Sequence, residues 1–276
     1  MFPPFPQEAA RHYCQDFISD IEDGFVCLKQ ISQVSLERQN HGIMAGSLVC
    51  INQNNERIIL HAISGISIDA YYKKKYDKGS GLLSYDKGSG LLSGFCAESE
   101  KCYATIKNGI KHIIVGPIVQ EADIQAALFE NDLEIHQLTE KINKKAENIE
   151  ELKKKRTQLT DLSLQKVFNL YNFTRFDGKK ISLNQIIKAH HGKLPPTGTG
   201  DCCAPKLLTY AFENNLQPLS MDEIFYGKNT KNKENGKSYS PCDERCGYIL
   251  PSILGLEILY RDKSIVVINK ESGLLS

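Results

Sequence analysis

Leu194-Pro195-Pro196-Thr197-Gly198-Thr199-Gly200-Asp201-Cys202-Cys203-Ala204-Pro205-Lys206-Leu207-Leu208 is the stretch that decides how this chain folds. It is a proline- and glycine-rich turn running into a helix. Asp201 stands where an N-cap is expected, its carboxylate accepting from the first free amides. Tyr210 and Ala211 continue the helical pattern, and Asn214-Asn215 ends it. Leu216 to Tyr226 then reads as a strand, followed by a loop carrying Lys228, Lys231, Lys233 and Lys237. Ser240-Pro241-Cys242-Asp243-Glu244-Arg245-Cys246 opens a second helix that runs on through Ile249-Leu250.

Two helix starts that both carry cysteine make a candidate metal site. Cys242 and Cys246 are four apart, so on a helix both thiols share one side. Cys202 and Cys203 add thiols from the other helix start, with His190 and His191 as outside candidates. Such a set supplies the three or four soft donors that structural zinc favours. Helix N-termini also help the thiolate form. The same cysteines also read as inert side chains buried under two helices.

Working outward, Glu8 to Leu28 carries Phe17, Ile18, Ile21 and Phe25 at mixed helical spacing. Ala45 to Ile51 and Ile58 to Ile63 are β-prone runs flanking Asn52-Gln53-Asn54-Asn55-Glu56, which predicts a hairpin. Tyr76 to Ser84 is then repeated without change as Tyr85 to Ser93, and the chain closes on the same Ser-Gly-Leu-Leu-Ser. Two copies of nine residues are too short and too few for a solenoid.

From Glu121 to Thr160, Leu128, Ile135, Ile142 and Ile149 recur every seven residues, with Leu138, Leu152 and Leu159 at the companion position. Asn131, Lys145 and Arg156 interrupt that seam. A single helix over this stretch would span about 60 Å. An antiparallel hairpin packed on its own domain and a homodimeric or partner-binding coil both fit it. Leu162 to Tyr171 reads as a further helix, and the helical pattern returns over Ile181 to Ile187.

At 276 residues the chain has room for one or two domains, and 41% hydrophobic with 24% charged residues is ordinary for a globular protein. No run approaches the roughly 18 apolar residues of a membrane span, and no secretory signal opens the chain. Nine cysteines without such a signal read as reduced thiols or ligands, with the cytoplasm as the expected compartment. A net charge of +1 excludes a broadly basic nucleic-acid surface. RNA contact would fall to local patches: the Lys228 to Lys237 loop, and Tyr71-Tyr72-Lys73-Lys74-Lys75-Tyr76, where aromatics interleave with Lys73, Lys74 and Lys75. Solvated surface lysine is the plainer account of each.

These motifs carry two resemblances. The spacing of Cys202 or Cys203 and Pro241-Cys242 looks like a deaminase-type fold, with Cys246 one residue late and Ala204 or Pro205 where a catalytic Glu would follow. A degenerate relative without deamination is what this implies. The larger likeness is to RluA-like RNA pseudouridine synthases. Leu194 to Tyr210 resembles the Pro-Pro turn and Gly-Asp-Cys-x-Ala-Pro-Lys-Leu-Leu step of a subset of them, and Ser240 to Leu250 their Pro-Cys-x3-Cys step. Gly42 to Cys50 and Ala62 to Gly65 resemble their opening more loosely. Ile258 to Leu274 is similar to the first strand pair of the synthase domain, with Glu271 where proline is usual.

That resemblance implies uridine isomerisation in rRNA or tRNA by an Arg-Leu-Asp aspartate, with no cofactor required. Arg-Leu-Asp does not occur in these residues, so no catalytic residue carries over and activity is not expected from this chain alone. The expected fold is α+β: an N-terminal region over 1–118, a long helix or helical hairpin over 119–162, a small deaminase-like α/β accessory region over 163–255, and the first synthase strands over 256–276. The function implied is an accessory portion of such a synthase. A zinc-stabilised or coiled-coil interaction module is the alternative.

Overall fold

A computed structural model describes residues 5–30, 42–65, 68–73, 101–144, 148–261 and 265–270. The tandem copy at 76–93, Tyr76, Lys74 and Lys75 lie outside them. The fold is α+β, as expected.

The expected hairpin forms. Strands β2 (Ile43–Ile51) and β3 (Arg57–Ile63) pair antiparallel, Ala45 opposite Ile63 and Ile51 opposite Arg57. Asn52 closes the turn by accepting at Oδ1 from the amides of Asn54 and Glu56. Strands β6 (Ala104–Lys107) and β7 (Ile110–Ile114) extend one side, β7 running parallel to β3. On the other side, β10 (Gln217–Tyr226) pairs antiparallel with β2. The five-stranded order is therefore β10-β2-β3-β7-β6. Gln217–Tyr226 thus completes a sheet begun 170 residues earlier, so 1–118 and 163–255 share one sheet rather than building two.

Strands β2 and β3 are buried on both faces, which is why their sequences are nearly continuous apolar runs instead of alternating ones. Ala45, Ile63 and Phe17 cluster on one side, where helix α1 (Glu8–Glu22) lies. Leu48, Cys50, Leu60 and Ala62 face the other, against Leu207 and Leu208. Helix α1 stops short of the expected Leu28. Gly24 takes a left-handed φ of 70° and the chain turns into strand β1 (Val26–Gln30), which pairs with β4 (Ile68–Lys73), itself paired with β5 (Lys101–Cys102).

The long-helix expectation resolves into a hairpin. Helices α2 (Glu121–Asn143) and α3 (Ile149–Phe168) pack antiparallel, with Glu130 paired to Lys166, Asn131 bonded to Ser163 and Glu134 paired to Lys155. Asn148, left-handed at φ 66°, precedes the second arm. Leu162 to Phe168 is accordingly the end of that arm, not a separate helix. Ile181 lies in a short strand, β9 (Lys180–Ser182), paired with β8 (Asn172–Thr174). Helix α4 (Leu183–Ala189) starts only after Ser182, whose hydroxyl and Gln185 form a capping box. Helix α5 (Cys203–Glu213) and helix α6 (Cys246–Ile253) follow, and the chain closes on a hairpin of β11 (Leu256–Arg261) and β12 (Val266–Lys270). Among the described residues that hairpin pairs only with itself.

Candidate metal centre

Three of the four expected cysteines come together. The Sγ atoms of Cys202, Cys242 and Cys246 all lie within 4.8 Å of one another. Cys202 is the N-cap of α5, extended at φ −73° and ψ 164°. Cys246 is the first residue of α6, and Cys242 precedes it in a turn closed by the Gly247 amide donating to the Cys242 carbonyl at 3.0 Å. The shared helical face is thus not what unites Cys242 and Cys246; Pro241 and the turn place Cys242 outside the helix. The same turn aims the amides of Arg245 and Cys246 at the Cys242 sulfur.

Hydrogen bonds from the Cys202 and Cys246 thiols, with those amides, push the Cys242 pKa far down. Its partners move up: Cys202 to about 12, chiefly through the bond to Cys242, and Cys246 chiefly through the bond to Cys202. Cys242 is exposed, Cys202 half-buried and Cys246 buried.

Cys203 does not join them. Its sulfur points into the sheet, 3.3 Å from the Met44 carbonyl and 3.4 Å from that of Ala62. Adjacent residues at a helix start diverge, and only the N-cap thiol faces α6. His190 is also elsewhere, its Nε2 at 3.2 Å from the Tyr248 carbonyl and its ring stacked on Tyr248, while His191 is exposed. Asp201 is not the N-cap; its carboxylate accepts from the Tyr171 hydroxyl at 2.7 Å.

Three contacts hold α5 where the cluster needs it. Gly46 lets the helix press on β2: a Cβ there would stand 2.6 Å from the Cys203 Cβ. The Lys206 ammonium, fully buried, donates to the carbonyls of Ile63 and Gly65 at 2.9 and 2.8 Å. Glu223 on β10 accepts from the Ala204 amide at 3.0 Å, and burial raises its carboxyl to about 7. Sequence reasoning missed Glu223, although Asp222-Glu223 inside an otherwise apolar strand is a visible signal. The Lys206 of the helix-start motif is likewise structural.

Cys202 also lines a cavity of about 810 Å³ between the α2–α3 hairpin and the rest of the fold. Ile124, Leu128 and Leu164 form its apolar side; Asp132, Asp201 and Arg245 are its charged residues. Nothing in the sequence pattern flagged this space, because it lies between elements far apart in the chain.

Two lysines of the loop after β10 are less free than expected. Lys237 is paired with Glu234 at 2.6 Å, and Lys233 sits over the rings of Tyr239 and Phe225 at 5.3 and 5.9 Å. Lys228 and Lys231 are at the surface. Tyr72, beside Lys73 on β4, is buried and so not exposed for stacking on a base. Family models, curated proteins and solved structures give no match to this chain.

Three thiols from two helix starts could hold a metal ion, and their soft donors fit zinc. The soft ligands are preorganised, and two backbone amides face the Cys242 sulfur. Among the described residues no helix is long and apolar enough to cross a membrane.

Proposed function

We propose that this chain is the zinc-stabilised accessory portion of an RluA-like RNA pseudouridine synthase, without isomerase activity of its own. The observation that carries it is the convergence of Cys202, Cys242 and Cys246, drawn from the two motif steps on which the resemblance rests. Those steps are far apart in sequence, yet they form one corner. A zinc ion there would tie α5 to α6, and α6 leads directly into the closing hairpin that resembles the start of a synthase domain. The chain's own residues bind and orient; no proton or bond rearrangement is assigned to them. RNA contact is assigned to Lys228 and Lys231, the surface lysines of the loop after β10.

Metal analysis of protein prepared without chelator tests the zinc half. About one zinc per chain is expected, falling near zero in Cys242→Ser; equal zinc in both proteins ends that half. Binding of a tRNA or rRNA fragment tests the other. Lys228→Ala with Lys231→Ala is expected to weaken binding and flatten its salt dependence by about two in slope. Unchanged RNA binding would remove the docking role.

An interaction module is the second reading, favoured by Phe129 and Leu133, which stand 82% and 70% exposed on the outer side of α2. The hairpin itself uses part of the heptad seam, since Leu138 is buried.

A further inference from the structure

We infer that the metal centre is an open site, whose fourth coordination position takes a neutral nitrogen-donor heterocycle seated in the adjoining cavity. This rests on the zinc reading above and extends it from a brace to a ligand site.

The donor count is the first support. Structural zinc is closed by four protein ligands, whereas an open centre keeps three and leaves one position to water or a ligand. Among the described residues no fourth His, Cys, Asp or Glu atom joins the three thiols. Two neighbouring candidates are engaged elsewhere, Cys203 with two carbonyls and His190 with the Tyr248 carbonyl. Glu223, whose charge acts on all three thiols, commits one carboxylate oxygen to the Ala204 amide.

The cavity is the second support. Cys202 belongs both to the cluster and to the cavity wall, and Arg245, between Cys242 and Cys246 in sequence, lines the same space. A volume of about 810 Å³ is within the range of small-molecule sites.

Charge selects the ligand. Three thiolates around Zn²⁺ leave a net charge of −1, and the cavity adds Asp132 and Asp201 against Arg245. An anion would enter negative surroundings, and a cationic amine has no lone pair for the metal. A neutral aromatic nitrogen offers a donor that zinc accepts readily, and an apolar ring for Ile124, Leu128 and Leu164.

Cobalt(II) in place of zinc makes the site visible, since thiolate-to-cobalt and d–d absorptions report the ligand set. The full chain is loaded with cobalt and titrated separately with imidazole, benzimidazole and acetate. The expected result is a spectral shift with both heterocycles, benzimidazole binding at least about tenfold tighter through its buried second ring, and none with acetate. Leu128→Trp, which narrows the cavity, is expected to abolish the benzimidazole preference while leaving cobalt content intact. Thr160→Trp, at an exposed helical position on the same cavity, serves the same purpose if the first variant unfolds.

Cobalt bound through thiolates with no shift on any addition would show a closed site and overturn the inference, leaving the zinc brace standing. Equal affinity for both heterocycles, unchanged by either tryptophan, would place the open position towards bulk solvent and overturn it too. Failure to bind cobalt at all would end the zinc reading and this inference together.

Discussion

Ser47, His61 and His112 form a polar row inside the sheet, whereas Cys202, Cys242 and Cys246 form one where a turn meets two helix starts. The two rows differ in how fully their bonding capacity is used. His61 places Nδ1 at 2.8 Å from the Ser47 hydroxyl and Nε2 at 2.9 Å from Nδ1 of His112, and Phe17 stacks on its ring at 4.4 Å. Burial holds both imidazoles neutral, lowering His61 well below its usual pKa and His112 to about 4. Both nitrogens of His61 are therefore satisfied by protein. Among the described residues the three thiols have one another and two amides. A satisfied polar row in a strand pair is a fastening; three thiols joined by no fourth donor among the described residues could hold a metal ion.

The sharpest way to break this comparison is to damage the fastening and ask whether the metal follows. His61→Ala leaves Ser47 and His112 without their central partner and opens a cavity beside Phe17. The expected cost is about 3–4 kcal/mol, read as a lower urea midpoint, with zinc content unchanged at low denaturant. Loss of zinc without loss of stability would show that the histidines serve the centre after all.

Acid separates the clusters next. The folded pKa of His112 lies below that of an unfolded histidine, so the unfolded chain binds the extra proton first. Stability from this group is complete above pH 6.5 and is lost as pH falls from about 6.5 to about 4. Glu223 acts in the opposite sense: its carboxyl is raised from 4.5 to about 7, so its share declines as pH rises through that interval. Subtracting His112→Asn from wild type isolates the histidine. The difference is expected to slope by about 1.4 kcal/mol per pH unit across its window. A flat difference would mean that His112 binds its proton equally in the folded and unfolded chain.

A third test lies between two neighbouring cysteines. Cys203→Ala removes a fully buried sulfur from the sheet and is expected to cost about 1–2 kcal/mol with zinc retained. Cys202→Ala is expected to abolish zinc binding. If the two behave alike in metal analysis, the divergence of their side chains at the start of α5 is wrong.

What was legible in the sequence follows from the range of the interactions involved. The β2–β3 hairpin, strand Gln217–Tyr226 and helix Cys203–Glu213 were readable because turn residues and apolar runs act over a few positions. The ends of α1 and α6 were not, since Gly24 and the Cys242 turn override an apolar pattern that continues beyond them. The seam over 119–162 left a long helix and a helical hairpin both open for a related reason: a heptad seam is the same whether its partner is another chain or its own second half. For the site, cysteine spacing announced the corner but could not choose between Cys202 and Cys203. That choice depends on Gly46 and Lys206, which dock α5 on a sheet built from residues about 150 positions away. The cavity was invisible for the same reason.

The smallest expected effects belong to the lysine loop, where commitment again decides function. Lys237 is engaged in an exposed pair with Glu234, so Lys237→Ala should leave stability nearly unchanged. Lys233 covers Phe225 and Tyr239 and lies close enough to Glu223 to favour its ionised form, so Lys233→Ala should cost about 0.5–1 kcal/mol. Neither should alter RNA affinity as much as Lys228→Ala, because an ammonium already engaged gives up a contact before it reaches a phosphate. Thermal melts and salt-dependent RNA titrations on the three variants give the order directly. An equal loss of RNA affinity in all three would mean that the loop acts by its charge alone, and that the contacts of Lys233 and Lys237 yield when RNA arrives.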